Sequence, residues 1–362
     1  MRIAMLTDRL TLGGGPECIR LIAEHLPEHF YTVFCKSGHY PALENLSNVT
    51  IIRHLPSSRE LKKFDLIHCH HLRSLFEIHI PAGVFVLNTI HGIHSRKFAF
   101  GHGLKNYVSG RLRHMLERWL YSHVALNIVL TEDDQHWLEQ NYHLQNLIRI
   151  PNGVESLLPA VTDLNLKALR DELSIPQSRY LLLMIARFDF QKGQDVLLKA
   201  VELSADHLRR TGALVALIGD GPKFMEYKTA VRDRNLDDVV FFCGAHQNAK
   251  RFLPLADALL LPSRWEGLPL ILLEAGVISV PVIGAAVSGI SSLLTDKQTG
   301  RLFPCEDFSA LASILCEESL FDSLPILGET WHNEVLNCYT VDKMTAAYNR
   351  LYHTVSEKNR RE

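Results

Sequence analysis

Two pairs of charged residues in this chain have the types and the spacing for chemistry. Arg187 and Lys192 stand five positions apart in ARFDFQKG at 186–193, and Glu266 and Glu274 have seven residues between them in EGLPLILLEA at 266–275. A guanidinium is a planar fork of donors and an ammonium is a point charge, so the first pair suits a pyrophosphate. Its other reading is a solvated loop carrying two charges. The two acids look at first like a catalytic pair. Their plainer reading is one capping acid at a strand–helix corner and one solvated helix glutamate.

Both pairs need strands behind them. Ala258-Leu259-Leu260-Leu261 stops at Pro262-Ser263-Arg264, which predicts a buried strand ending in a loop. Gly267-Leu268-Pro269 predicts a helix entry with the proline in the first helical position, where its missing N–H is no loss. Glu266 then sits in the loop and Glu274 on the helix. Tyr180 to Ala186 is likewise a strand before Arg187, and a helix runs from about Gln194 to Leu203. The carboxyl ends of strands are where open parallel sheets bind ligands.

The remaining strands fall into two series. In the first half they are Ile3–Leu6, Tyr31–Cys35, Val49–Ile52, Phe64–His68, Val84–Asn88, Val124–Leu130 and Ile148 onward. In the second they are Tyr180–Ala186, Leu214–Ile218, Val239–Gly244, Ala258–Leu261, Pro281–Ile283 and Gly300–Phe303. Strands alternating with helices in both halves predict two doubly wound α/β domains with a cleft between them. The boundaries are placed at 1–160 and 161–335, with 336–362 as a terminal helix about Val341 to Val355.

Three features of the first half have chemistry in them. Gly13-Gly14-Gly15 between a strand and a helix lets the backbone approach a phosphate, or is a plain turn. His68-Cys69-His70-His71 and His91-Gly92-Ile93-His94 hold six potential zinc ligands. On a strand, however, His68 and His70 face one side and Cys69 and His71 the other, which splits the set and favours a polar cleft without metal. Arg96 to Arg118 carries Arg96, Lys97, Lys105, Arg111, Arg113 and Arg118 against the single acid Glu117, interleaved with apolar residues. Such a segment can lie on an anionic membrane surface or bind an anionic substrate. Its other reading is an ordinary helix with a basic outer face.

Composition removes several classes. The 362 residues carry 38 Lys and Arg against 40 Asp and Glu, a balance that does not point to nucleic acid. The seven cysteines are dispersed, without paired zinc spacing, as expected of reduced thiols in a cytosolic compartment. No window approaches the roughly 20 apolar residues of a membrane helix. The opening MRIAMLTDRLTLGGG reads as a strand and loop rather than a signal peptide. The expected location is cytoplasmic, with peripheral contact at the inner face of a membrane.

These pieces, taken in order, resemble a known family. GGGPE at 13–17, DLIHCHH at 65–71, IHG at 90–92, IPNGVE at 150–155, ARFDFQKG, IGDGP at 218–222, EGLPLILLEA, PVIGAAVSGI at 281–290 and the Gly300 turn follow its sequence of motifs. The chain resembles a retaining nucleotide-sugar glycosyltransferase of the GT-B fold, of the group 1 or family 4 type. That resemblance implies sugar transfer, from a UDP-sugar, to a glycan or lipid-linked acceptor in cell-surface polysaccharide or lipopolysaccharide synthesis. It implies that Arg187 and Lys192 bind the donor diphosphate, Glu274 the ribose, and Glu266 with the backbone of Gly267, Leu268 and Leu270 the transferred sugar. Gly14 or Gly15 would approach the phosphate from the opposite domain, His91 would lie beside the sugar, and the base would sit near Gly244 to His246. No metal or other cofactor is expected. The terminal helix would return to the first domain.

One segment departs from the family's Gly-Gly-x-x-Glu: this chain has Ser288-Gly289-Ile290-Ser291-Ser292, without the acid. Two other functions share this outline. One is an inverting GT-B transferase or a sugar-nucleotide epimerase. The other is a non-catalytic nucleotide-sugar-binding subunit.

Overall fold

The computed structural model describes residues 1–11, 13–70, 72–101, 104–156 and 163–359, apart from the side chains at 94, 97, 104, 163–165 and 356–359. His71, the side chains of His94 and Lys97, and residues 157–162 of the expected domain connection lie outside that set. The chain divides into two compact units, Met1–Gly153 together with Tyr339–Glu362, and Val154–Cys338.

The first unit is built on seven parallel strands: β1 Arg2–Leu6, β2 Phe30–Phe34, β3 Val49–Ile52, β4 Leu66–Cys69, β5 Val86–Ile90, β6 Leu126–Val129 and β7 Leu147–Arg149. Their order across the sheet is β3-β2-β1-β4-β5-β6-β7. Winding therefore reverses between β1 and β4, which pair directly, with Ile3 opposite Leu66 and Leu6 opposite Cys69. Both faces are covered. Ile3 and Met5 enter one core cluster and Ala4 and Leu6 the other, which is why β1 reads as an unbroken apolar run. Helix α1, Gly14–His25, follows β1, and helix α2, Leu104–Ser122, lies in the crossover from β5 to β6.

The C-terminal helix, Val341–Asn359, belongs to this unit and packs on α1. Val341, Met344, Tyr348, Leu351, Tyr352 and Val355 recur at helical spacing and are buried in one cluster with Cys18, Ile19 and Ile22. Each such side chain contributes about 1.5–3 kcal/mol through the area it removes from water.

The boundaries differ from the expected 160/161 and 335/336 for a packing reason. A Cβ on Gly153 would stand 2.6 Å from the Thr340 carbonyl oxygen, and the Gly153 N–H meets Met344 Sδ at 3.1 Å. Outgoing and returning chain are thus seated together at 153 and 340, closer to the motif IPNG than the loosened composition suggests.

The second unit has six parallel strands: β8 Tyr180–Ile185, β9 Ala213–Ile218, β10 Val240–Gly244, β11 Ala258–Leu261, β12 Val282–Ala285 and β13 Arg301–Phe303. Their order is β10-β9-β8-β11-β12-β13, so this sheet reverses between β8 and β11. Helix α3, Gln194–Thr211, leaves the loop after β8, and helix α4, Leu270–Val277, leaves the loop after β11. Pro269 caps α4 in extended backbone instead of occupying its first turn. A long helix α5, Leu320–Cys338, holds α4 in place: Trp331 Nε1 donates to the Leu272 carbonyl at 3.1 Å. A Cβ at Gly276 would come within 2.5 Å of Val335, so glycine is what lets the two helices approach.

Candidate functional site

The chemistry expected in the second unit gathers at its switch point, because the Arg187–Lys192 loop follows β8 and the Glu266 loop follows β11, its direct neighbour. Lys192 Nζ donates to Glu266 Oε1 at 2.6 Å, and Ser263 Oγ donates to the same oxygen at 2.7 Å. The Glu266 side chain is 7% exposed, whereas Arg187 is 69% exposed and pairs with Asp189. Gly193 makes the loop possible. It has φ +69°, and a Cβ there would fall 2.0 Å from the Pro262 carbonyl oxygen.

A residue not singled out in the sequence ties these loops together. Arg264 is buried, its Nη1 and Nη2 donate to the two oxygens of Asp195 at 2.9 and 2.7 Å, and its Nε donates to Glu306 at 2.6 Å. The guanidinium also donates to the Phe190 carbonyl at 2.7 Å and lies 3.9 Å over the Phe190 ring. The first turn of α3, the RFDFQKG loop and the segment after Phe303 therefore share one anchor. Its signal was present as the arginine three positions beyond an apolar strand, but nothing local says that Asp195 and Glu306 arrive from opposite directions.

The other residues expected here are placed as follows. Glu274 is on α4, nearly buried, with Lys250 Nζ 3.0 Å from its Oε1. Gly267 and Leu268 are buried in the loop before α4, and Leu270 opens that helix. Gly289 explains part of the SGISS segment, since a Cβ there would lie 2.3 Å from the Gly267 carbonyl oxygen. Gly244 turns at φ +72° at the end of β10, with nothing within 4 Å of a Cβ built on it. His246 is engaged by the backbone, its Nε2 3.1 Å from the Cys243 carbonyl oxygen, with Glu172 on the other nitrogen at 3.4 Å.

The first unit presents a different site at its own switch point. A pocket of about 270 Å³ is lined by Thr7, Arg9, Gly15, His70, Asn88 and His91, among others. A Cβ on Gly15 would touch the His91 ring at 3.8 Å, while one on Gly14 would meet nothing within 4 Å. Glu17, the acid of GGGPE, serves α1 itself: it accepts from Arg20 Nε at 2.9 Å and from the Tyr40 hydroxyl.

The histidines form a hydrogen-bonded stack. His68 and His70 share a face, with ring centroids 4.1 Å apart. His68 Nδ1 lies 2.8 Å from Tyr352 Oη of the C-terminal helix, and its Nε2 lies 2.8 Å from Thr89 Oγ1. His70 Nδ1 lies 3.0 Å from His91 Nε2. Burial, with the neighbouring imidazoles, lowers His68 to about 3 and holds His70 well below the usual histidine range.

Of the described residues among the expected ligands, His70 and His91 come together with Cys18, their ligand atoms lying within 4.8 Å of one another. Burial raises the Cys18 thiol to about 12, and the two imidazole nitrogens already face each other, so this donor set suits a hydrogen-bond network better than zinc. All seven cysteines are free.

The basic segment is redistributed by folding. Arg96 pairs with Asp134 at 2.9 Å, and Arg113 with the fully buried Glu117 at 2.8 Å. Lys105, Arg111 and Arg118 remain exposed on α2, beside Tyr107, Val108, Leu112, Met115 and Trp119. One apolar stripe of this helix points outward while Leu116, Leu120 and Tyr121 pack inward, which a basic amphipathic pattern alone does not establish. Among the described residues no helix is long and apolar enough to cross a membrane.

Comparison with known proteins agrees with this architecture. A family model described as "Glycosyltransferase Family 4" matches residues 13–156, and one described as "Glycosyl transferases group 1" matches 166–316. N-acetyl-alpha-D-glucosaminyl L-malate synthase of Bacillus anthracis is 30% identical over 192 residues, 52% of this chain and 49% of that protein. This chain thus matches about half the length of that relative. The UDP-Gal:alpha-D-GlcNAc-diphosphoundecaprenol alpha-1,3-galactosyltransferase of Escherichia coli is 24% identical over 324 residues, 84% of this chain and 81% of that protein. Among solved structures, HepE of Anabaena in complex with UDP-glucose superposes with a TM-score of 0.82 at 18% identity, covering 98% of this chain and all of that one. With two parallel-sheet α/β units, the GT-B fold and family models across both halves, this chain belongs to the group 1 glycosyltransferases.

Proposed function

We propose that this enzyme moves a sugar from a UDP-sugar to a glycan or lipid-linked acceptor, with retention of configuration, in the assembly of cell-surface polysaccharide or lipopolysaccharide. The observation that carries this reading is the Lys192–Glu266 contact of 2.6 Å at the switch point, with the exposed Arg187 in the same loop. Glycosyl transfer builds negative charge on the leaving diphosphate and positive charge on the anomeric carbon. Fixed cations at the diphosphate favour that state over the ground state, and no metal is needed for the purpose.

Glu266 orients the transferred sugar in this reading, and an ammonium on its carboxylate makes it a weak nucleophile. The acceptor hydroxyl therefore attacks from the face that the diphosphate leaves, and a diphosphate oxygen takes its proton as the new bond forms. Glu274 holds the ribose, the turn Gly244 to His246 receives the base by backbone contact, and Gly267, Leu268 and Leu270 line the sugar. His91, Gly14 and Gly15 are assigned to the donor as well. Proton NMR of the product tests retention: an unchanged anomeric configuration is expected, and an inverted linkage contradicts it. Protein that binds UDP but transfers from no UDP-, GDP- or ADP-sugar would instead be a binding subunit.

The reading extends to where the reaction occurs, at the cytoplasmic face of a membrane. Val108, Leu112, Met115 and Trp119 form one exposed stripe along α2, with Lys105, Arg111 and Arg118 beside it and the helix's one acid buried. Apolar insertion flanked by cations fits an anionic bilayer. Salt-sensitive flotation with anionic vesicles is expected, abolished by Leu112→Glu with Met115→Glu. Absence of flotation at low ionic strength returns α2 to an ordinary surface helix, and self-association through the stripe marks it as a dimer face.

A further inference from the structure

We propose that His70 is a positioning residue that fixes His91 in a single tautomer, with the proton on Nδ1 and an acceptor lone pair on Nε2. His70 is 3% exposed and held neutral, so it has one proton for two ring nitrogens. Its Nε2 is buried and has no hydrogen-bond partner among the described residues, while its Nδ1 faces His91 Nε2 at 3.0 Å. A buried N–H without an acceptor is the rarer and costlier defect than a lone pair without a donor. The proton of His70 therefore sits on Nδ1 and is donated to His91. His91 Nε2 must accept it, which leaves the proton of a neutral His91 on Nδ1.

The surroundings hold this choice in place. His70 is stacked on His68, and both nitrogens of His68 are occupied by hydroxyls, Tyr352 Oη and Thr89 Oγ1. Thr89 Oγ1 in turn lies 3.2 Å from Tyr348 Oη. Hydroxyls donate or accept as required, so His68 imposes no proton on its neighbour. The C-terminal helix, which contributes both tyrosines, thus buttresses the ring that aligns His91. The consequence for chemistry rests on the assignment of His91 to the donor: its Nδ1 is a hydrogen-bond donor suited to a sugar or phosphate oxygen, and its Nε2 is already committed, so it does not act as a base through either nitrogen.

Two-bond proton–nitrogen correlation spectra of protein labelled at the histidine ring nitrogens read the tautomer directly, in the full chain and without any substrate. Signals lost in His91→Gln identify His91. The expected result is a protonated Nδ1 and an unprotonated Nε2 in the native protein. In His70→Phe, which keeps a ring in the space but removes the donor, the proton should move to Nε2, the tautomer that imidazole favours in water. In His70→Asn, whose amide N–H replaces the lost donor, it should return to Nδ1. A native His91 protonated on Nε2, or a tautomer unchanged in His70→Phe, overturns the proposal. Once a donor is known, kcat/KM should fall about tenfold in His70→Phe and recover in His70→Asn, the lower end of what an outer-shell partner contributes. Because the spectra need no donor, failure of the proposed function would leave this result readable.

Discussion

At the switch point of the second sheet, Lys192 and Arg187 carry fixed charge close to solvent, and Glu266 is drawn under an ammonium. At the switch point of the first, His68 and His70 are buried, neutral and, among the described residues, joined through their rings to hydroxyls and to another imidazole. Both sheets use the same device, a reversal of winding that opens space above two adjacent strands. They fill it with opposite materials. One end supplies charge for a group that becomes more negative. The other supplies directed hydrogen bonds from imidazoles that stay neutral as protons become plentiful.

The largest effect should come from the charged end. Lys192→Ala or Arg187→Ala is expected to lower kcat/KM by about 10²-fold or more, comparable to losing one oxyanion donor. Steady-state kinetics with the working donor measure this, and unchanged turnover in both variants would show that the charge does not act on the reaction. Arg264→Ala tests the anchor beneath. Removing a buried guanidinium that satisfies Asp195, Glu306 and the Phe190 carbonyl should cost about 2–3 kcal/mol of stability. Urea unfolding of Arg264→Ala reads that loss, and Arg264→Lys should recover only part of it because the fork is gone.

The neutral end makes a pH prediction. Unfolded His68 and His70 take up protons as pH falls through about 6.5, while folded His68 does not until about 3 and burial with the neighbouring imidazoles holds His70 well below the usual histidine range. Above the unfolded value the two contribute no slope. Below it, stability should fall as pH is lowered, by up to about 1.4 kcal/mol per pH unit for each histidine. Urea midpoints between pH 7 and the acid limit check the sign, and His68→Gln should flatten the dependence. A slope that is the same in the variant would mean that other groups carry it. The smallest kinetic effect is expected from Gly289→Ala, whose Cβ would press the Gly267 carbonyl at 2.3 Å. Because the clash is with backbone, about 1–3 kcal/mol of displacement is the expected cost, read as a donor KM raised roughly fivefold or more with kcat little changed.

The contrast also explains what could be read from the amino-acid order. Arg187, Lys192, Glu266 and Glu274 announce themselves because charge beyond an apolar run has no packing reason to be there, and the ends of β8 and β11 fall within a residue of where the apolar runs stop. The two doubly wound sheets followed from continuous apolar strands alternating with helices. The neutral network did not show, because Tyr348 and Tyr352 are 284 or fewer positions from His68 along the chain and meet it only after the last helix folds back. Arg264 was visible as a residue but not as an anchor, since its two acids come from a helix and a loop distant in sequence. The exposed face of α2 was not legible either: the run of cations was plain, but tertiary pairing engages Arg96 and Arg113 and leaves an apolar stripe exposed beside the remaining cations.

The central claim is that the charged switch point holds the donor's diphosphate. Calorimetric titration of the native chain, Arg187→Ala and Lys192→Ala with UDP and with uridine tests it most directly. UDP should bind the native chain, and its affinity should drop by about 10-fold or more in each variant while uridine binding stays level. UDP affinity that is equal in all three proteins would contradict the account.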